Sequence, residues 1–350
     1  MSAPLRIWLI DEGSHGHRAQ SRGVVAAIER TGRRVEVVTI EARDRVPGVL
    51  RAPIRLAVDR GAAVLADRAA HLASRFAPPT GAAPDLVLSS GGKSVFANVA
   101  LARSTGAANL FVGDPRPYPP RWFGAVLAPS DIAGAANVHA IAAPPTLMTP
   151  ARCREAATRH WPDAPPERVW ALLVGGASRS HRFKADDFEA LADGVNALAR
   201  RFGIRWVVST SRRSGAQAEA VLAERLAPAA VVETTLFSRR PTPVAAAYLG
   251  AAERVFVTQD SLTMLSEAIA SGRPVVALAP GDVRLPRRSI VRAMLERFDR
   301  LAGFERRAVA AMADYEPAGG ETGAAAAVLA VLDRTVAAVL AELNLDTPAG

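Results

Sequence analysis

The chain has one cysteine in 350 residues, Cys153, and two lysines, Lys93 and Lys184, among its 43 basic residues. A lone thiol excludes an intramolecular disulfide, a cysteine-built zinc site and a CxxC redox pair. Aromatic residues make up only 5% of the chain, and no basic run is interleaved with them. Zinc-finger and RNP spacings are missing as well, so nucleic acid is not an expected partner. The apolar runs LRIWLI, RWVVST and PVVALAP stop far short of the ~18–20 residues that span a bilayer. The stretch MSAPLRIWLIDEG has no basic n-region and turns acidic at Asp11, so a signal peptide is not expected. The expected location is the cytoplasm, with peripheral contact at the inner face of the membrane as an extension of it.

What is present describes a globular protein. Hydrophobic residues are 49% and charged residues 22%, with 26 Gly and 25 Pro. At ~100–200 residues per domain this length allows about two domains with cores of their own. The net charge of +9 rests almost wholly on Arg, scattered through an Ala- and Arg-rich chain. It is weak evidence for acidic partners, among which phosphate-bearing ligands and an anionic membrane surface rank ahead of nucleic acid.

Short β-branched runs alternate with longer stretches of helical period, the pattern of βα units around parallel sheets. Strands are expected near 5–10, 35–40, 85–89, 109–112 and 125–128, with helices near 17–30, 54–75 and 94–104. Residues 142–168 are proline-rich without apolar periodicity and read as a linker. The alternation restarts with strands near 168–174, 204–209, 229–233, 254–258 and 275–279, with helices between them. The expected architecture is α/β: two Rossmann-like domains facing a central cleft, where such sheets bind ligands. Its divisions are an N-terminal domain at 1–150, a linker at 151–167, a C-terminal domain at 168–320, and a final helix and tail at 321–350 that packs across the junction.

Five loops follow strands and break into Gly, hydroxyl or charged residues. Asp11-Glu12-Gly13-Ser14-His15-Gly16-His17 combines the turn-forming Gly13 and Gly16 with two imidazoles suited to general-base work. The plain alternative is a capped turn with solvated histidines, and a metal held by Asp11, His15 and His17 has no other ligand cluster behind it. Ser89-Ser90-Gly91-Gly92-Lys93-Ser94 has the look of an anion nest. It is not a Walker A loop, because Val87 stands where that motif needs Gly. Gly175-Gly176-Ala177-Ser178-Arg179-Ser180-His181-Arg182-Phe183-Lys184 is rich in donors and has no carboxylate, which suits a diphosphate; a solvated basic turn is the alternative. Ser209-Thr210-Ser211-Arg212-Arg213 adds hydroxyls and guanidinia. In Thr258-Gln259-Asp260-Ser261-Leu262-Thr263-Met264-Leu265-Ser266-Glu267, Asp260 or Ser261 caps a helix whose N-terminus attracts anions. Glu267, about two turns on, is placed to accept ribose hydroxyls or is an ordinary surface carboxylate.

The segment TQDSLTMLSEAIASGRPV resembles the nucleotide-sugar signature of GT-B glycosyltransferases. More closely, DEGSHGHRAQ, SSGGKSVFANVALAR, LLVGGASRSHRF, VVSTSRRSG and VFVTQDSLTMLSEAIASGRPV, in that order, resemble the mitochondrial-fission-factor (ELM1-like) family. The likeness covers roughly residues 5–280. It implies a GT-B fold with an acceptor domain first and a nucleotide-sugar domain second. Carried over by position, Gly175, Gly176, Ser178 and Arg179 approach phosphate, with Thr210, Ser211 and Arg212 beside them; Lys184 joins Arg179 in the expected stabilisation of the leaving diphosphate. Ser261 and Thr263 cap the phosphate and Glu267 takes the ribose. His17 corresponds to the loop histidine of the lipid-II-synthesising GlcNAc transferases that "GSHGH" resembles. His15 or Asp11 is the alternative base, and Gly13, Gly16, Gly91, Gly92, Lys93 and Ser94 form the acceptor-side loops. The family's plant member is described through partner recruitment rather than catalysis.

The expected function is therefore an inverting, metal-independent glycosyltransferase. It takes a nucleotide-diphosphate sugar as substrate, with no cofactor, and an envelope or lipid-linked acceptor. No DxD motif occurs, which fits a metal-free GT-B site. The competing expectations are a nucleotide-sugar epimerase or hydrolase, and a non-catalytic membrane-surface adaptor. The adaptor would use Arg284–Arg307 as a basic amphipathic helix.

Overall fold

Strand β1 (Leu5–Asp11) is apolar along almost its whole length because its sheet is covered on both faces. Successive side chains alternate between those faces. Trp8 and Ile10 pack with Phe96, Phe111 and Trp122 on one side; Leu5, Ile7 and Leu9 pack with Val24 and Ile28 on the other. The computed structural model describes residues 3–42, 48–59, 81–128, 135–287, 289–318 and 323–346. They form two compact units, Met1–Leu147 with Ala330–Gly350, and Met148–Leu329.

In the first unit, α1 (His15–Arg30), β2 (Val35–Glu41), α2 (Gly48–Asp59), β3 (Leu86–Ser90), α3 (Val95–Thr105), β4 (Ala108–Val112), β5 (Ala125–Ala128) and β6 (Val138–Ala140) follow β1. The sheet is parallel, in the order β2-β1-β3-β4-β5-β6. The helix expected at 54–75 begins earlier, at Gly48, and its residues from 60 on lie outside the described residues.

The second unit opens with α4 (Pro150–His160), inside the segment expected to be a linker. Thr149 caps this helix by accepting from the Arg152 amide at 3.1 Å, and Pro150 occupies the first turn, where its missing N–H costs nothing. Its apolar stripe is only Cys153 and Ala157, both buried. The proline that reads as a breaker is therefore a helix start. Then come β7 (Val169–Val174), β8 (His181–Arg182), α5 (Ala185–Phe202), β9 (Arg205–Thr210), α6 (Gly215–Arg225), β10 (Val231–Thr235), α7 (Ala245–Ala251), β11 (Arg254–Thr258), α8 (Leu262–Ala270), β12 (Val275–Ala279), β13 (Asp282–Val283), α9 (Ile290–Phe298) and β14 (Phe304–Ala308). Its main sheet is parallel, ordered β10-β9-β7-β11-β12-β14. Counted from β7, that is the 3-2-1-4-5-6 order of a Rossmann sheet.

Two expectations need correction here. Arg284–Arg307 is not one amphipathic helix. Within it α9 buries Met294, Leu295 and Phe298, Gly303 turns the chain at φ +76°, and β14 pairs with β12. The expectation that apolar stretches are too short for a bilayer also fails for α10 (Ala324–Glu342), which is 19 residues long and apolar enough by composition. From Ala330 onward this helix belongs to the first unit. There Leu332, Val336, Val339 and Leu340 are buried in the core with Val24 and Ile28. Asp333 pairs with Arg30 at 2.6 Å.

Candidate functional site

Each sheet reverses its strand order beside its first strand, and ligands of such sheets bind at the carboxyl ends on either side of the reversal. In the first unit those ends are β1 and β3, and the loops that follow them meet. His17 Nδ1 lies 2.5 Å from Glu12 Oε1. A carboxylate only accepts, so Nδ1 carries the proton and Nε2 keeps its lone pair in the neutral ring. Glu12 is buried, and its other oxygen accepts from the Lys93 amide at 2.9 Å. Gly91, at φ +91°, leaves room for this pair; a Cβ there would collide with His17 Nδ1 and Glu12.

The remaining candidates of these loops have other tasks. Asp11 is buried, accepts from the Gly13 amide at 2.9 Å and pairs with Arg18, which closes the turn. His15 is exposed and Gly16 lies inside α1 rather than in the loop. Ser94 is buried, and its hydroxyl donates to the Gly91 carbonyl at 2.7 Å. In the SSGGKS turn the Lys93 amide is already engaged, by Glu12 of the same chain. Gly92 and the Lys93 side chain are exposed.

In the second unit the reversal lies between β7 and β11. The Gly175 amide donates to Thr258 Oγ1 at 2.6 Å, tying the two strand ends together. Ser214 donates to the carbonyls of Val174 (2.9 Å) and Gly175 (2.5 Å), which brings in the loop after β9. Gly175 and Gly176 are needed for packing: a Cβ on the first would strike Asp260, and on the second the Arg213 carbonyl. Asp260 is buried and pairs with Arg213 at 2.8 Å. Burial pushes its carboxyl above the usual range against the opposing pull of Arg213. Neighbouring Gln259 is buried with Oε1 lacking a hydrogen-bond partner among the described residues.

Ser261 is the N-cap of α8, its hydroxyl accepting from the Met264 amide at 3.4 Å; Thr263 lies in the first turn. Glu267 follows on the same helix, half-buried. It makes no side-chain hydrogen bond or ion pair among the described residues, and burial pushes its carboxyl up to about 7. Arg179 and Arg212 are exposed on the loops after β7 and β9, and Lys184, also exposed, is the N-cap of α5 after β8. Ser178 organises its own turn, accepting from the His181 amide at 3.1 Å, and β8 pairs with β13 to brace that loop. His181 is buried, with burial lowering its pKa. Ser211 closes a turn with Ser214, whose hydroxyl accepts from the Ser211 amide at 3.0 Å. Thr210 faces inward, donating to Glu219 at 2.7 Å and accepting from the Phe237 amide at 2.8 Å. Burial alone would raise Glu219, but hydrogen bonds from Ser238, Thr210 and the Phe237 amide prevail and hold it below the usual range.

Sequence reasoning did not single out Glu12, Arg213 or Ser214, and it weighed Asp260 only as a helix cap. The role of Arg213, Asp260 and Ser214 depends on a partner at least 39 positions away, and that of Glu12 on both His17 and Lys93. Among the described residues no group of three His, Cys, Asp or Glu side chains is placed to hold a metal ion.

Two Rossmann-like units in tandem, each with its loops gathered at a strand-order reversal, define the GT-B class of α/β fold. The chain matches the model of the family described as Mitochondrial fission ELM1 over residues 15–332, and it belongs to that family. Its fold is similar to the UDP-GlcNAc 2-epimerase of Methanocaldococcus jannaschii in complex with UDP-GlcNAc and UDP. That likeness has 12% identity and a TM-score of 0.53, covering 97% of this chain and 100% of the other. It is also similar to the glycotransferase of kitacinnamycin, at 15% identity and TM-score 0.50, covering 99% and 96%. Arabidopsis thaliana UGT89C1 complexed with quercetin is similar at 11% identity and TM-score 0.50, covering 98% and 92%. No curated protein matches the chain by sequence.

Proposed function

We propose that this chain is a glycosyltransferase that takes its sugar from a nucleoside-diphosphate donor held by the second unit. One observation carries the reading. Glu267 is a half-buried carboxylate with no partner among the described residues, on a Ser-capped helix at the strand-order reversal. A carboxylate that burial has raised to about 7, and that no donor of the described chain satisfies, is matched by a ligand bringing hydroxyls. A ribose supplies two. The diphosphate then falls to the N-terminus of α8 and the exposed Arg179, Lys184 and Arg212, whose positive charge meets it.

The first unit supplies the base. His17, oriented by Glu12, accepts the proton of an acceptor hydroxyl at Nε2. The acceptor oxygen forms a bond to the anomeric carbon, the bond from that carbon to the diphosphate oxygen breaks, and its electron pair leaves with the nucleoside diphosphate. Stabilising that developing charge is the largest single task, and it belongs to the α8 N-terminus and the loop guanidinia. An epimerase would share the donor site but would consume donor without any acceptor.

The test is calorimetric titration with UDP, GDP, ADP and CMP, repeated on Glu267→Ala. Micromolar binding of one nucleotide, weakened at least about tenfold in the variant, is expected; each tenfold is about 1.4 kcal/mol. No binding by folded protein overturns the proposal.

A further inference from the structure

Helix α2 turns an apolar stripe toward solvent. Val49, Ala52, Pro53 and Leu56 fall at i, i+3, i+4 and i+7, a single helical face, and all four are exposed, Val49 by 82%. Leu50, also exposed, widens the stripe. The inward side is already satisfied: Val58 is buried in the first unit's core and Ile54 packs against it. A surface helix ordinarily keeps polar residues on its outer face. Here the pattern is reversed, and the cations stand at the flanks. Arg51 and Arg55 are only half-exposed, and Arg55 reaches the Pro117 carbonyl at 3.4 Å.

The surrounding sequence is basic. Residues 43–80 contain seven Arg against three acidic residues, Asp44, Asp59 and Asp67, in a chain of net charge +9. We propose that α2 docks the first unit on an anionic lipid surface. The Val49–Leu56 stripe enters the boundary between headgroups and acyl chains while Arg51 and Arg55 lie among the headgroup phosphates. Charge decides between this occupant and a second copy of the chain. In a symmetric pair the same basic flanks would face each other, whereas anionic headgroups neutralise them and add long-range attraction. This inference uses neither the donor site nor His17, so it stands or falls separately from the proposed transferase activity.

The experiment is co-sedimentation of the full chain with phosphatidylcholine vesicles, and with vesicles containing about a third anionic lipid. Val49→Asp/Leu56→Asp is the variant; both side chains are exposed, so it leaves no cavity, and an unchanged melting curve verifies its fold. The expected result is binding to the anionic vesicles alone, reduced at least about tenfold in the variant and weakened by salt. A polarity-sensitive fluorophore on Val49→Cys reports insertion by a blue shift that appears only with anionic vesicles. Equal sedimentation of variant and native chain overturns the proposal. So does a fluorophore shift without lipid that tracks a concentration-dependent dimer mass, since a second copy is then the occupant.

Discussion

At the scale of single residues, two side chains carry the proposed chemistry and each has a measurable signature. Glu267 has a folded-state pKa of about 7 against an ordinary value of 4.5. Its protonated form is favoured on folding, so its contribution to stability is most favourable below 4.5 and is lost as pH rises through 7. Glu267→Gln removes that dependence. Thermal melts of the unliganded proteins should show the variant gaining on the native chain between pH 5 and pH 8. Nucleotide affinity should move the other way in the native chain, rising with pH through 7, because ribose hydroxyls donate best to the ionised carboxylate. His17→Gln should lower kcat about 10²–10⁴-fold with little change in donor KM. Glu12→Gln should lower kcat in the same direction, because the His17 ring loses the carboxylate that orients it through Nδ1. Gly91→Ala should behave like His17→Gln, since its Cβ occupies the place of Nδ1. His17 is visible in the sequence as an imidazole in a Gly-rich loop. Glu12 is not, because its function arises only where the turn after β3 delivers the Lys93 amide to it.

At the scale of elements, ten of the strands and most helices were legible because buried strands leave short apolar runs and helices leave a 3.6 period, whereas β6, β8, β13 and β14, short or rich in charge, were not. Helix α4 was not, since a stripe of two small residues, Cys153 and Ala157, carries little periodic signal. What seats it is Gly250 on α7, where a Cβ would collide with the Cys153 carbonyl. Gly250→Ala should therefore force α4 off α7 and cost about 1–3 kcal/mol, the usual range for overpacking. Urea melts would read the loss, and limited proteolysis after Arg154 or Arg159 would locate it. Burial has pushed the Cys153 thiol up to about 11, so the same variant should make it react faster with thiol reagents as the helix loosens.

At the scale of the whole molecule, two units with separate cores predict two calorimetric transitions rather than one. Leu340→Ala removes a buried side chain from the first unit's core and should lower one transition by about 2–5 kcal/mol of stability. A bound nucleoside diphosphate should raise the other transition only. A single transition that both perturbations move together would show that the units unfold as one. Helix α10 was expected from sequence as a final helix, and by length and composition alone it is also apolar enough to cross a bilayer. The burial of Leu332 and Val336 beside Val24 and Ile28 settles its place.

The sequence by itself determined the βα alternation, the polar loops at the carboxyl ends of strands and the glycines that crowd them. Those features follow from local periodicity and backbone sterics, which neighbouring residues impose on one another. Strand order was decided only by the tertiary structure, because parallel strands pair through crossovers that no local pattern specifies. That order selects which loops converge: after β1 with after β3, and after β7 with after β11. It also decided which polar groups were left for a ligand. Thr210 and Ser94 look like ligand donors in sequence and are consumed internally, whereas Glu267 resembles any helix carboxylate and is left without a partner among the described residues.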